Sequence, residues 1–279
     1  MKRSWKVWLC LIPLTLLVLG FLLFPTLNMV ISSFQTDDGR FTLTHYQELF
    51  TDAYYLQSIS NSLKISLLSA TVAIVIAVIG GYSISQLAER SNKWMTTISN
   101  MTSYFEGIPL AFSFIVLLGN NGLFTLLFNQ LGLDVFGNFD LYSWVGLVVV
   151  YIYFQIPFAI ILLLPTYQAI NNEWRYASNL LGGTGWTFWR KVGIPLLFPG
   201  VIGTYTILIA NALGAFATAN ALVGSTYNLM PIQIASLISG DVFLQPNLAS
   251  AFGVLLAFIM IAALWLNSKI MKKVRRDLR

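Results

Sequence analysis

Long apolar runs alternate with short polar intervals along the chain, and a bilayer-crossing helix needs about 17–25 mostly apolar residues. Six runs meet that need, and spans are predicted at about 7–31, 63–86, 95–118, 144–164, 201–223 and 248–266. The first follows a basic start, MKRSWK. It is longer than the apolar core of about 7–15 residues usual in a signal peptide, and no cleavage site of small residues follows, so it reads as a retained span. The second is rich in small residues, among them Ser69, Ala70, Ala73, Gly80 and Gly81, and so is the fifth, with Gly203, Ala210, Ala212, Gly214 and Ala215. Small side chains let backbones approach closely, a main source of helix association in lipid. These spans are expected in the bundle centre. The fold class predicted is an all-α polytopic membrane protein with six transmembrane helices in one domain, residues 1–279.

The polar intervals divide into two kinds. Residues 35–57 hold Asp37, Asp38, Glu48 and Asp52 against Arg40 alone, and Tyr46, Phe50, Tyr54 and Tyr55 predict an interfacial helix there. Residues 120–143 carry Asp134 and Asp140 with no basic residue, and the run Leu123 to Phe128 predicts a short re-entrant or surface helix. The third interval of this kind is 224–247, with Asp241. The longest polar interruption in the second half, residues 171–200, is basic instead. Glu173 to Leu181 is predicted as a short helix with Trp174, Ala177 and Leu181 on one face, stopped by Gly182 and Gly183. Thr184 is placed to cap a second short helix through Trp189 and Lys191, expected to end before Pro195. A helix, glycine turn and helix carrying Arg175, Arg190 and Lys191 suits insertion into a groove of a soluble partner; an interfacial helix touching lipid headgroups is the other reading.

Composition sharpens the class. Hydrophobic residues make up 57% and charged residues 10%, against about 25% charged in soluble domains, so a water-facing exterior is excluded. Of 16 Lys and Arg, all but Arg40 and Lys64 fall in the termini and the intervals after the second and fourth spans. The basic side is normally cytoplasmic, so both termini and residues 171–200 are expected in the cytoplasm. The basic tail from Lys269 to Arg279 is assigned to the anionic inner leaflet rather than to nucleic acid. One cysteine, Cys10, and one histidine, His45, give no disulfide and no metal-ligand spacing. No catalytic constellation and no phosphate-binding GxxxxGK[ST] is present. Catalytic and metal residues are therefore predicted to be absent, and the chain is not expected to be an enzyme.

The spacing of Ala177, Leu181, Gly182, Gly183, Trp189, Ile194, Pro195 and Pro199 resembles the cytoplasmic coupling loop of binding-protein-dependent, MetI-like ABC-importer permeases. The family motif begins Glu-Ala-Ala; here its Glu falls on Tyr176 and its second Ala on Ser178, while Glu173 lies one turn earlier and offers a carboxylate on nearly the same face. The stretches EGIPLAFSFIVLLG, ANALGAFATANAL and MPIQIASLISGDV resemble the subgroup that includes spermidine/putrescine and aminoethylphosphonate importers. The resemblance implies a permease bundle in a bacterial plasma (inner) membrane that moves a small polar solute inward by alternating access. It implies two ATPase subunits that bind ATP and Mg, a second and related permease chain, and an extracellular substrate-binding protein. No cofactor is implied in this chain. The ATPase-coupling residues it implies are Glu173, Trp174, Tyr176, Ala177, Leu181, Gly182 and Gly183.

Translocation candidates come from polar residues at membrane depth. Glu106, beside Gly107 and Pro109, is either a pathway group or a structural carboxylate bonded to a neighbouring span at Gln155 or Asn211, since an ionisable group there is costly unless partnered. Asn211, Thr218 and Asn220 either line a path or join helices. The alternative function is an ion-coupled secondary transporter using Glu106. Such carriers pair two broken helices, and no clear second copy of the 95–118 pattern is visible.

Overall fold

A computed structural model describes residues 12–132, 139–239 and 244–277. The basic start, Cys10, Asp134, Asp241 and the side chains of the tail beyond Met271 lie outside the described residues. Among the described residues six stretches are long and apolar enough to cross a membrane. Helix α1 is Ile12–Ser32 and α2 is Thr44–Thr51; α3, Ala53–Ser85, starts at the cap Asp52, whose carboxylate accepts from the Tyr54 N–H. Helix α4 is Glu89–Tyr104, α5 Ile108–Leu118 and α6 Leu123–Gln130. Helix α7 is Trp144–Gln168, α8 Asn172–Leu180, and α9 runs Gly185–Gly214. Phe216–Val223, Met230–Ser239 and Pro246–Asp277 form α10, α11 and α12.

Helices α3, α7 and α9 form the centre. Ala70, Ala73 and Ala77 of α3 face Ala159 and Leu163 of α7 and Leu208 of α9. The approach is close enough that a Cβ on Gly81 would lie 3.0 Å from the Tyr167 ring. A second cluster, around Leu110, Leu147, Phe154 and Leu222, joins α5, α7 and α10. A third, of Leu49, Met230, Leu248 and Phe252, seats α2 and α11 on α12. Helix α1 packs along α12, where Met29 sulfur lies against Gly253, and has no buried residue among its apolar positions.

Four of the predicted boundaries differ, each for a local reason. Helix α3 begins ten residues before the predicted 63, and its 33 residues extend about 50 Å at 1.5 Å per residue, so exposed Lys64 sits near the outer part rather than in mid-bilayer. The predicted single span 95–118 is two helices, α4 and α5, because Gly107 takes φ 85° and ψ −147°, which no helix continues through. The helix after Thr184 does not end before Pro195. A π-turn at Trp189–Gly193, where the Ile194 N–H reaches back to the Trp189 carbonyl, widens the helix just ahead of the proline. That shift moves aside the carbonyl with which a proline ring would clash. The predicted span 201–223 likewise breaks at Ala215 (φ −76°, ψ 67°), between α9 and α10.

Candidate functional site

Two places combine exposed function-bearing groups with unusual backbone. The first is the turn between α8 and α9. Asn171 caps α8, its side chain accepting from the Glu173 N–H at 2.9 Å and donating to Glu173 Oε2 at 3.1 Å. A carboxylate in the first turn also suits the positive end of the helix. The Glu173 carboxylate is thus tied to the cap, one turn before Tyr176. At the other end the Gly183 N–H bonds the Ser178 carbonyl at 2.9 Å and the Gly182 N–H bonds that of Asn179 at 3.0 Å. Gly182 has φ 76°. This is a glycine-terminated helix end in which the positive φ requires a residue without Cβ strain. A Cβ on Gly183 would come within 2.9 Å of the Ser178 carbonyl oxygen, so both glycines of the pair are needed.

Leu180 and Leu181 are each 89% exposed and Tyr176 67%. Trp174, Ala177 and Leu181, predicted to share a face, border one groove of about 710 Å³ that Gly183, Lys191 and Pro195 close on the α9 side. Phe188 is buried, and the Trp189 ring meets Tyr82 of α3 edge-on at 5.0 Å between centroids; Tyr82 in turn packs on Tyr167 of α7. The Tyr167 hydroxyl donates to the Val78 carbonyl at 2.6 Å. A Cβ on Gly193 would overlap the Trp189 ring, so the π-turn and the aromatic joint depend on that glycine.

The second place is the junction of the two broken helices. Between α4 and α5 the break is at Phe105–Gly107, and between α9 and α10 it is at Ala215. They meet. The Gly107 N–H donates to Thr218 Oγ1 at 2.9 Å, Asn211 Nδ2 lies 3.5 Å from Glu106 Oε2, and the Tyr151 hydroxyl donates to the Ala215 carbonyl at 3.0 Å. Backbone groups freed by the breaks are therefore satisfied by other helices, which a membrane interior requires. Glu106, Asn211 and Thr218 border a cavity of about 560 Å³, and Glu106 and Asn211 also border a smaller one of about 160 Å³ with Asn100 and Tyr104. Glu106 is exposed to these cavities, and among the described residues no Lys or Arg pairs with it.

No family model matches the sequence. The chain is 25% identical over 255 residues to the trehalose transport system permease protein SugB of Mycobacterium tuberculosis, covering 88% of this chain and 87% of that one. It is 22% identical over 251 residues to the spermidine/putrescine transport system permease protein PotC of Escherichia coli, covering 88% and 89%. Its fold matches a chain of a bacterial ABC transporter involved in the import of alginate, with TM-score 0.77, 17% identity and coverage of 98% and 96%. It also matches a chain of the MetNI methionine ABC transporter in inward-facing form, with TM-score 0.57, 18% identity and coverage of 78% and 95%. The chain is thus similar over most of its length to transport-system permease proteins, and it shares its fold with chains of two ABC transporters. Six helices of membrane-crossing length among the described residues agree with that similarity.

Within this fold the residues predicted to line a pathway separate. Glu106 and Asn211 face the cavities, and Asn211 rather than Gln155 is the neighbour of Glu106. Gln155 is wholly buried and donates instead to Ser69 Oγ at 2.9 Å. Thr218 is 2% exposed and acts by tying α10 to Gly107. Asn220 is exposed on α10 and is not among the residues lining either cavity at the junction. The break at Ala215 escaped sequence reasoning, because Gly214 and Ala215 read as one more pair of small packing residues. Tyr151 was likewise not singled out, and Trp189, placed by the spacing of the loop, gave no sign of its contact with Tyr82.

Proposed function

We propose that this chain is a permease subunit of an ATP-driven importer in a bacterial inner membrane, moving a small polar solute, polyamine-like or aminophosphonate-like, toward the cytoplasm. Helix α8 is its coupling helix, and an ATPase subunit grips Trp174, Tyr176, Ala177, Leu181 and the Gly182–Gly183 turn. The observation that carries this reading is the apolar ledge of Tyr176, Leu180 and Leu181, which stands exposed on a capped helix in an interval that also carries Arg175, Arg190 and Lys191. Exposed leucines of this kind suit a protein groove. The basic residues at this end support its assignment to the cytoplasm, with both termini on the same side.

Coupling has a physical route. Helix α9 runs unbroken for 30 residues from Gly185 to Gly214, about 45 Å, joining the ledge to the junction at Glu106. Closure of two ATPase subunits biases transport only if it favours one permease conformation over another. A displacement of α8 passes through the Trp189–Tyr82 joint into α3 and along α9 to the break at Ala215. A second, related permease chain completes the pathway, and an extracellular binding protein delivers solute to the acidic side.

The paired breaks around Glu106 also favour a second reading, an ion-coupled carrier. Proteoliposomes holding the purified assembly decide between them. Uptake that needs internal ATP and is blocked by vanadate supports the importer; uptake by this chain alone, driven by an ion gradient, overturns it.

A further inference from the structure

We infer that the cavities at the two helix breaks form a site for an organic ammonium group, and that the bound ammonium replaces Asn211 Nδ2 as the donor to Glu106 Oε2. The inference rests on the permease reading and names the solute chemistry its pathway selects. Glu106, Phe158 and Asn211 border both cavities, of about 560 and 160 Å³. Among the described residues Glu106 is the sole ionisable carboxylate on their walls, and no Lys, Arg or His lines either one. The rest of the polar lining is neutral, and the rings of Phe158 and Tyr104 add faces that attract a cation.

Charge then sorts the solutes. A sulfate or phosphonate would bring a second negative charge toward Glu106 with no positive side chain to meet it, and like charges at short range repel. A neutral sugar would leave the carboxylate uncompensated. An ammonium group compensates it, and charge-assisted contacts of this type form at about 2.7–2.9 Å. The present Asn211 contact, at 3.5 Å, is at the outer limit of a hydrogen bond and so is readily exchanged. The exchange leaves the junction intact, because α10 stays tied through Thr218 to the Gly107 N–H at 2.9 Å. Of the two solute types proposed above, the site favours an amine without an acid group over an aminophosphonate.

The test uses the full assembly purified in mild detergent, with a fluorescent diazoacetamide, which esterifies Glu106 in one step and leaves no activated intermediate for an amine to attack, and peptide mapping to locate the label. Spermidine is the amine probe; trehalose, and sodium chloride matched in ionic strength, are the comparisons. Spermidine at millimolar concentration is expected to slow labelling of Glu106 about tenfold, with trehalose and salt leaving it unchanged and Glu106→Gln giving no label at that position. Asn211→Ala, which removes the competing donor, is expected to be protected at several-fold lower spermidine. Labelling insensitive to spermidine, or slowed as much by matched salt, overturns the site; loss of protection in Asn211→Ala overturns the exchange. ATP hydrolysis by the same preparation separates this result from the importer reading. Unprotected labelling in an ATP-hydrolysing assembly removes the ammonium site alone, and protection in a preparation lacking an ATPase supports the site while removing the importer.

Discussion

Thr218→Val tests whether the two broken helices are joined as described. The substitution keeps the side-chain shape and removes the one oxygen that accepts from the Gly107 N–H at 2.9 Å. Thr218 is 2% exposed, so no other acceptor reaches the amide from that side. An unsatisfied buried donor costs about 1–3 kcal/mol, a shift of about 5- to 150-fold in an opening equilibrium. Gly107 is half-buried and borders the 560 Å³ cavity, so water reaching it places the expected cost near the lower end, about 1 kcal/mol or fivefold. The measurement is backbone amide exchange followed by mass spectrometry over peptides spanning 105–108, in detergent or nanodiscs. Thr218→Val should raise exchange at Gly107 about fivefold or more, Thr218→Ser should restore it, and peptides from the α3–α7 centre should not change. Exchange at Gly107 within twofold of wild type in Thr218→Val would refute the claim that this bond holds the breaks together.

Gly182, with φ 76° and open space where a Cβ would go, should separate strain from sterics. Gly182→Ala should weaken the end of α8 by about 1 kcal/mol and Gly182→Asn by less, while Gly182→Asp, which adds charge at the proposed ATPase contact, should give poor assembly or uncoupled hydrolysis; normal uptake in Gly182→Asp would count against α8 as the coupling element. Gly193→Ala should lower the thermal midpoint of the purified chain by several degrees, since its methyl would overlap the Trp189 ring; an unchanged midpoint would mean the π-turn can relax. Gln155→Met should be close to neutral in the same assay, because Gln155 Oε1 is buried without a partner and its removal offsets the lost bond to Ser69; a loss above about 3 kcal/mol would show a role beyond packing.

Much of the fold was legible because lipid leaves few choices. Runs such as Trp144 to Leu164 have little alternative to a spanning helix, and the small residues of α3 and α9 announced a close-packed centre. What escaped the sequence depends on geometry between distant segments. Gly107 with Pro109 marked a possible break, yet the polar character of α4 was hidden inside a window that averaged it with α5. Pro195 signalled a stop, and the π-turn that carries α9 past it has no residue signature beyond Gly193 under the Trp189 ring. Thr218 read as one polar residue among several; its partner is a backbone amide 111 positions away. At the coupling turn the glycine pair was readable from spacing alone, because a positive φ and a close approach each exclude a side chain. The carboxylate of Glu173 was not, since its tie to Asn171 depends on the cap.

The central claim, that the α8 ledge couples this permease to ATP hydrolysis, is tested most directly by comparing the wild-type chain with Leu180→Asp/Leu181→Asp. Both leucines are 89% exposed, so the double variant should fold and insert normally. Affinity purification from native membranes in mild detergent, followed by assay of vanadate-sensitive ATP hydrolysis and mass spectrometry of the recovered subunits, gives the answer. The account predicts that the wild-type chain brings down an ATPase and a second permease with measurable hydrolysis. It predicts that the variant keeps its thermal midpoint and the second permease while losing most of the ATPase. Equal recovery of ATPase activity with both chains would contradict it.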